Sequence, residues 1–150
     1  MAVANVVKAH AFKIEVGGID QFEFQKLEEP EVELTTSSHG GEGGLEIKTA
    51  TRIKTGDMTL EKVVPADTAD TWAWDWLATA IDPKTMVGGL PSDYKKSLVI
   101  RELNPDGSYA NSYMAEGSFV KKVSKNGHER LSDDNALQTV VLSVDKYYPI

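Results

Sequence analysis

The chain has no cysteine, only three histidines in 150 residues, and no long uninterrupted run of apolar side chains. Without cysteine there is neither a disulfide framework nor a thiolate site, so burial and hydrogen bonding stabilise the fold, which suits the cytosol. No segment approaches the ~20 apolar residues of a membrane span, and the N-terminus lacks a basic segment followed by a long apolar core. We therefore expect a soluble protein without a membrane anchor that is not secreted by the general route.

Basic side chains are also scarce, because 16 lysines and arginines stand against 23 aspartates and glutamates, for a formal charge of −7. This balance argues against a protein that grips nucleic-acid phosphates through a basic surface, although a passage through which nucleic acid slides is still possible. The length and the 41% hydrophobic content are ordinary for one globular domain, and no linker divides the chain. We expect a single domain over residues 1–150.

All the tryptophans of the chain lie in the one stretch that has a helical pattern, residues 67–82. Its apolar residues recur at helical spacing and form one broad face: Ala69, Trp72, Ala73, Trp76, Leu77 and Ala80. The pattern predicts Asp67 as N-cap and a helix end before Pro83. Trp72, Trp76 and Leu77 are expected in the core, with a ligand-stacking platform as the minor alternative. Trp74 points away from them, so it is covered in an assembly or partly exposed in a monomer.

Most of the remaining sequence alternates between apolar and polar residues, as β-strands do. Residues 12–16 predict one strand, and a glycine pair turns the chain into a second strand that carries Phe22 and Phe24. A longer hairpin is predicted over residues 32–54, around a glycine-rich tip. Residues 35–52 are too polar on both faces for a core, but they suit an arm that becomes ordered against a neighbour.

Further strands are predicted at residues 58–60, 98–103, 109–123 and 138–145, the third of them bent near Gly117. Residues 84–93 contain two glycines and a proline and predict a loop. The count is about seven strands and one helix, with no internal repeat. The fold class is therefore mainly β with one helix packed on sheet.

Several motifs occur in the order and at the spacings that are typical of a known protein family. They are Phe-x-Ile-x-Val-Gly-Gly at 12–18, the polar hairpin, Gly-Asp-Met-Thr-Leu-Glu-Lys at 56–62, Trp-Asp-Trp-Leu at 74–77, the turn at 106–107, and Leu-Ser-Asp-Asp-Asn-Ala at 131–136 before a valine-rich strand. In this order the chain resembles the tail-tube protein family of contractile-tailed phages and related contractile injection systems. The resemblance covers essentially the whole chain.

The resemblance implies a β-sandwich or barrel-like subunit with one packed helix and an extended hairpin. Six such subunits close into a hexameric ring whose inner sheets form a continuous β-barrel, and the rings stack into an inner tube. It further implies a structural protein that conducts DNA or a protein payload without tight binding, with itself, the sheath protein and baseplate or initiator proteins as partners. The implied location is the virion tail or injection particle, assembled in the bacterial host cytoplasm.

In this family the hairpin that corresponds to residues 32–54 reaches toward neighbouring subunits and the adjacent ring. The residues expected at these contacts are Glu33, Thr35, Ser37, Ser38, His39, Glu42, Leu45, Ile47, Lys48 and Arg52. This sequence departs from commoner members in its very polar tip, residues 37–44, and in lacking a Phe-Asn-x-x-Pro stretch near residues 115–123. Both departures concern stacking contacts more than the fold.

No pattern in the sequence predicts an enzyme, and we expect no catalytic residues, no metal and no cofactor. Glu28, Glu29, Glu31 and Glu33 form a solvated or lumen-facing acidic strand, since nothing specifies the cleft that paired catalytic carboxylates require. His39 and Glu42 lie far in sequence from His10 and His128, which disfavours a metal site. The glycine-rich tip lacks the lysine of a phosphate loop, and three scattered histidines support no Ser-His-Asp arrangement.

Two alternatives stay open. Within the family, the chain could be a tube-initiating or tube-terminating paralogue, or a secreted ring protein of the type VI secretion kind, and the capacity for unlimited stacking discriminates these. From another class, it could be a small β-sandwich binding module whose tryptophans hold a ligand such as a carbohydrate. Such a module is expected to be monomeric, with a tryptophan whose fluorescence is quenched by ligand.

Overall fold

Strands make up most of the computed structural model, which describes residues 12–16, 19–21, 24–63, 71–125 and 137–150. Within these residues the strands are β1 (Phe12–Val16), β2 (Ile19–Gln21), β3 (Phe24–Glu28), β4 (Val32–Gly40), β5 (Glu46–Thr55), β6 (Met58–Val63), β7 (Lys96–Leu103), β8 (Tyr109–Lys125), β9 (Leu137–Ser143) and β10 (Lys146–Pro149). The helices are α1 (Trp72–Ala80) and α2 (Pro91–Tyr94), and one 3₁₀ turn covers Glu42–Gly44. The predicted class, mainly β with one packed helix and an extended hairpin, is confirmed.

An eight-stranded antiparallel sheet has the order β2-β1-β7-β8-β9-β6-β3, with β10 paired to β8. The long strand β8 joins its two halves, because residues 109–118 pair with β7 and residues 119–125 pair with β9. In the register, Leu98 lies opposite Ala115 in the first half and Val120 lies opposite Leu142 in the second. Strands β4 and β5 form a separate two-stranded sheet.

Strand β8 changes register at Gly117, close to where the sequence predicts a bend. Lys96 pairs with Ser118, but Leu98 already pairs with Ala115. Gly117 has φ +66°, a left-handed conformation that favours glycine, and a Cβ added there would overlap the Asp145 carboxylate. The Asp145 amide donates to the Glu116 carbonyl at 3.0 Å. The register change at Gly117 therefore divides β8 into a part that pairs with β10 and a part that pairs with β9.

The core is one cluster of buried side chains from both halves of the sheet and from α1. Its strand residues alternate along the chain, as the period of two requires, and they are Ile14, Met58, Leu60, Leu98, Ile100, Ala115, Val120, Val140 and Leu142, joined by Val144 and by Ala73 and Trp76 of the helix. Burying each large aliphatic side chain contributes about 1.5–3 kcal/mol. Both halves of the sheet therefore contribute to one hydrophobic cluster with the helix.

Three expectations need correction. The helix begins at Trp72 with Thr71 as N-cap and ends at Ala80, so it is shorter than residues 67–82, and Asp67 lies outside the described residues. The strand that pairs with β1 is Ile19–Gln21, whereas Phe24 begins a strand that pairs with β6, and Phe22 lies outside the described residues. Part of the predicted loop 84–93 is the short helix α2, and the described residues contain ten strands instead of about seven.

Candidate assembly surfaces

Residues 32–55 form a two-stranded antiparallel hairpin, called the arm below. Its ladder runs from Val32 opposite Thr55 to Gly40 opposite Glu46, with a bulge between Thr35 and Thr36. At the tip, Gly43 and Gly44 have φ of +68° and +77°, which closes the turn. An isolated two-stranded hairpin is at best marginally stable in water. Nearly every side chain of the arm is exposed, so the arm is suited to becoming stabilised by a neighbouring surface.

One face of the arm is a row of hydroxyl groups that ties its strands together. The Thr35 and Thr51 hydroxyl oxygens are 2.8 Å apart, and the Ser37 and Thr49 hydroxyl oxygens are 3.2 Å apart. The Thr51 hydroxyl also donates to the Thr35 carbonyl at 3.0 Å. Because β-branched threonine fits a pleated strand and its hydroxyl can bond across it, this polar sequence can form strands without a core to pack on.

Exposed apolar side chains occupy the two ends of this otherwise polar arm. At its base, Leu34 and Ile53 are directly opposite each other and are 55% and 65% exposed, and Val32 lies beside them. At its tip, Leu45 is 66% exposed and Ile47 is 42% exposed. Clustered exposed apolar side chains rimmed by polar residues are typical of protein contact surfaces. Residues 40–47, which comprise this turn together with Leu45 and Ile47, are called the arm tip below.

The structure brings the sequence-predicted contact residues together on the arm. These are Glu33, Thr35, Ser37, Ser38, His39, Glu42, Leu45, Ile47, Lys48 and Arg52, all exposed except the half-buried Thr35. Cross-strand pairing places His39 opposite Ile47, and Ser38 opposite Lys48. Their contact with a neighbouring subunit stays a prediction.

A groove that the sequence did not predict lies between the base of the arm and β10. It has a volume of about 370 Å³ and is lined by Val32, Ile53, Thr55, Asp145, Lys146, Tyr147 and Tyr148. The Tyr147 ring stacks on that of Tyr113 with centroids 5.5 Å apart. Strand β10 forms by pairing with residues of β8 that are distant in sequence, and such pairing leaves no local pattern. The adjacent tyrosines near the C-terminus were therefore the only sequence signal for this surface.

The connection between β3 and the arm brings a carboxylate close to this tyrosine pair. Burial raises the pKa of the Tyr147 hydroxyl far above its usual value, and the nearby charge of Glu29 raises it further. Burial also raises the pKa of Glu29, and the charge of Glu102 adds to that shift. The root of the arm therefore holds a carboxylate whose neutral form the fold favours.

The acidic residues of this region, Glu29 included, are all partly or fully exposed to solvent. Glu28, Glu31 and Glu33 are exposed, and Glu28 forms an ion pair with Lys26 at 3.2 Å. Within the residues that the structure describes, no group of three or more histidine, cysteine, aspartate or glutamate side chains is arranged to hold a metal ion. His39 and Glu42 lie on the exposed arm.

Helix α1 packs two of its tryptophans against the core. Trp76 is 2% exposed, and its indole N–H donates to the Tyr94 carbonyl at 2.7 Å. The Trp72 ring meets Trp76 edge-on with centroids 5.6 Å apart, and Trp72 and Leu77 pack against the buried cluster. The Lys96 ammonium lies 5.3 Å from the Trp76 ring centroid, a cation–π arrangement.

The loop after α1 exposes a second apolar surface, which the sequence did not predict. Trp74, on the other side of the helix, is 44% exposed. Beyond the helix, Ile81, Met86, Val87 and Leu90 are all exposed, and they are called the loop patch below. The sequence signal for this surface was the apolar pair Met86-Val87 beside two glycines, since turns are ordinarily polar.

The family model of the T4-like virus tail tube protein gp19 matches residues 8–147 of the chain. The chain belongs to this tail tube protein family. The match extends over nearly all of the residues that carry the fold and includes the arm and the loop patch. The predicted resemblance to tail-tube proteins is confirmed.

Solved structures of contractile injection systems share the fold of this tail tube protein. A chain of the sheath/tube terminator of the extracellular contractile injection system PVC, in its extended state, is 18% identical with a TM-score of 0.81, covering 99% of each chain. A chain of the tube terminating cap of the anti-feeding prophage is 16% identical with a TM-score of 0.83, covering 100% of this chain and 94% of that one.

A more distant structure with the same fold is Hcp1 from Flavobacterium johnsoniae, which is 14% identical with a TM-score of 0.52 and covers 93% of this chain and 94% of its own. At such identities the likeness concerns the fold alone. No curated protein sequence matches the chain significantly. Among the helices that the structure describes, none has the length and apolar character needed to cross a membrane.

Proposed function

We propose that this tail tube protein is a non-enzymatic structural subunit, residues 1–150 acting as one domain, that assembles as hexameric rings stacked into the inner tube of a contractile phage tail or injection particle. The family match over residues 8–147 is the observation that carries the proposal. The fold shared with chains of contractile injection systems, including a sheath-tube complex at a TM-score of 0.77, supports it. Tube assembly is then the activity of the protein.

The edges of the main sheet support ring closure. In the described residues the sheet order leaves β2 at one end and β3 at the other. An open strand edge presents unpaired N–H and C=O groups that pair readily with another chain. In a cyclic head-to-tail ring, every subunit joins one edge to the next subunit, so no edge is left open. The sheets of six subunits would then form a continuous inner β-barrel.

The arm supports contacts beyond this sheet. It forms its own two-stranded sheet, exposes apolar side chains at base and tip, and makes few contacts that would order it in a lone subunit. We place its role at the interface with neighbouring subunits or the adjacent ring, through the residues predicted from the sequence. The sheath protein and baseplate or initiator proteins are the further partners, in a particle assembled in the bacterial cytoplasm.

The negative charge of the subunit supports a role as a conduit through which cargo passes without being retained. Each chain carries a formal charge of −7, so a ring accumulates a strongly negative field. An acidic lumen repels nucleic-acid phosphates over a Debye length of about 10 Å. DNA, or a payload protein, would pass without tight binding.

A second candidate function is that of the last ring of a tube. Chains of a sheath/tube terminator and of a tube terminating cap share this fold at TM-scores of 0.81 and 0.83. A terminating paralogue would add one ring and stop, whereas a main tube subunit would stack without limit. A secreted ring protein of the type VI kind would form rings without needing a sheath.

Negative-stain electron microscopy and light scattering of the purified chain test the proposal. Six-fold rings or hollow tubes of unlimited length are expected, and rings that never stack would favour the terminating or secreted alternatives. A persistent monomer whose tryptophan fluorescence is quenched by a carbohydrate would overturn the proposal in favour of a binding module. Trp74, which is 44% exposed, is the tryptophan that such a ligand would reach.

A further inference from the structure

A buried hydroxyl without a partner lies at the root of the arm. The Tyr147 hydroxyl oxygen is enclosed, and it makes no hydrogen bond within the part of the chain that the structure describes. Burial, and then the charge of Glu29, raise the pKa of Tyr147, so the hydroxyl keeps its proton and can donate. A buried hydroxyl that makes no hydrogen bond is unfavourable, and such groups are rare in native structures. The free subunit therefore lacks an acceptor for this donor.

The Glu29 carboxylate is the acceptor that can complete this bond. It lies close enough to Tyr147 for each side chain to influence the pKa of the other, although no hydrogen bond of normal geometry joins them. Glu102, the other carboxylate that acts on both groups, already accepts from the Asn111 amide at 2.9 Å. Glu29 is exposed and lies on the connection between β3 and the arm. Its carboxylate therefore moves when the arm moves.

The groove between the base of the arm and β10 is a gap that such a movement would close. Cross-strand register places Val32 opposite Thr55, and Ile53 follows on the same face of the arm. These three residues line the groove of about 370 Å³, with Tyr147 and Tyr148 on its β10 side. Val32 and Ile53 are exposed. Closing the groove would bury apolar side chains on both of its walls, which is favourable.

The two strands of the arm are joined at the root, so they move together. The Gly56 amide donates to the Glu31 carbonyl at 2.8 Å, where the strands leave the main sheet, and the neighbouring Pro30 is buried. Beyond this point the arm forms a two-stranded sheet of its own, separate from the eight-stranded sheet. A small rotation about the root therefore moves the whole base of the arm relative to β10.

We propose that the arm of the free subunit is open at its base, and that assembly closes it on β10 and pairs Glu29 with the Tyr147 hydroxyl. A neighbouring copy that binds the closed arm better than the open arm shifts the population toward the closed state. Tyr147 is then a positioning residue that fixes the direction of the arm. The closure rests on the proposed tube function, which supplies the assembled state.

Tyr147→Phe removes only the hydroxyl and distinguishes the two states. The urea midpoint of the free subunit should stay equal or rise, because an unpaired buried group is lost. The protein concentration needed for assembly should rise by about threefold or more, because the closing hydrogen bond is missing. Tyr148→Phe is the matched control, since the Tyr148 hydroxyl already donates to the Glu116 carboxylate at 2.6 Å. It should assemble normally and should not gain stability.

Substitutions of Glu29 test the other side of the pair. Glu29→Gln keeps an oxygen acceptor and should assemble far better than Glu29→Leu, which should impair assembly as Tyr147→Phe does. The double variant Glu29→Leu with Tyr147→Phe should assemble no worse than either single variant, because both remove the same bond. The arm tip is unchanged in all of these chains. Light scattering over a concentration series measures assembly, and a Tyr147→Phe chain that assembles like the unmodified chain would overturn the proposal.

A distance measurement tests the closure directly. The chain has no cysteine, so Lys54→Cys on the arm and Lys125→Cys at the end of β8 can carry the only two spin labels. Both positions are exposed and lie outside the groove. Double electron–electron resonance on labelled chains diluted into unlabelled chains should give one distance in free subunits and a different distance in assembled rings.

The outcomes separate the closure from the tube function. Tubes in which the distance equals that of the free subunit would overturn the closure and leave the tube function standing. An unmodified chain that forms no rings or tubes would overturn the tube function, and the closure with it.

Discussion

Trp76 and Tyr94 connect the two helices of the subunit, because the Trp76 indole N–H donates to the Tyr94 carbonyl at 2.7 Å. Tyr94 in turn meets the Phe119 ring edge-on with centroids 5.2 Å apart. This partly buried hydrogen bond and the aromatic contact connect α1, α2 and β8. The loop patch lies between these two helices in the chain, so its position depends on this connection.

Replacing Trp76 by alanine should destabilise the subunit by about 3–5 kcal/mol, because a large buried side chain is removed from the core. Trp76→Phe should cost less, since it keeps most of the ring contact but leaves the Tyr94 carbonyl unpaired. Urea denaturation measures both. Trp74→Ala is the matched control on the exposed face of the same helix, with an expected change within about 0.5 kcal/mol. A Trp76→Ala loss below about 1 kcal/mol would contradict burial of this side chain.

Shortening the arm should block stacking while the subunit stays folded. Replacing residues 38–48 by Asn-Gly keeps the pairing of Ser37 with Thr49 and closes it with a favourable two-residue turn. Because the removed residues are exposed, the melting temperature should change little. Differential scanning calorimetry measures whether the shortened subunit stays folded, and electron microscopy shows whether it still stacks. Long tubes of normal yield from the shortened chain would show that the tip is not an assembly element.

Gly117→Ala should destabilise the fold more than other glycine substitutions at positive φ. Gly117 and Gly107 have φ of +66° and +88°, but only the Cβ added at Gly117 meets another group, the Asp145 carboxylate. Gly107→Ala should therefore show the backbone cost alone, about 1–2 kcal/mol, and Gly117→Ala should exceed it. Adding Asp145→Ala to Gly117→Ala should recover part of the excess, measured against Asp145→Ala alone, because the carboxylate is removed but the Cβ of residue 145 stays 2.9 Å from the added Cβ and the ion pair with Lys95 is lost. Equal losses for the two glycines would place the Asp145 side chain elsewhere.

Stability should depend on pH through Glu29, whose pKa is raised by burial and then by the charge of Glu102. A raised pKa means that the folded state holds the proton more tightly than the unfolded chain. The stabilising contribution is therefore present at acid pH and is lost as the pH rises through the pKa of folded Glu29. Glu29→Gln should raise stability at neutral pH and reduce the decline of stability between acid and neutral pH.

Urea unfolding at a series of pH values between acid and neutral checks this expectation. Glu31→Gln removes the next carboxylate along the chain, on the other side of Pro30, and controls for the loss of one negative charge. If Glu29→Gln leaves the pH dependence unchanged, or changes it no more than the control does, Glu29 is not the group that responds.

The assembled protein should not bind duplex DNA at physiological salt. The chain lacks a basic excess, with 16 basic against 23 acidic residues, so it offers few phosphate contacts and should show no steep salt dependence. A DNA mobility-shift assay across a salt series measures this. Tight binding that weakens with added salt would contradict a repulsive conduit, even if tubes were seen.

The fold class, the helix and the arm could be predicted from the sequence because each depends on neighbours along the chain. Alternation in residues 98–103 shows a strand with a period of two, and Trp72, Trp76 and Leu77 share a helical face through spacings of one turn. The arm was recognisable because residues 35–52 are polar on both faces, a pattern that no core strand has. The family was recognised from the ordered motifs.

The order of the sheet and the groove beside β10 were decided only by tertiary structure. Strand β10 contains a proline and two adjacent tyrosines, and it is a strand because it pairs with residues 113–116 of β8. The helix begins at Trp72, after Thr71, whose hydroxyl donates to the Asp75 carboxylate at 3.0 Å. Local pattern encodes contacts within a few residues, whereas the groove and the strand order depend on partners tens of residues away.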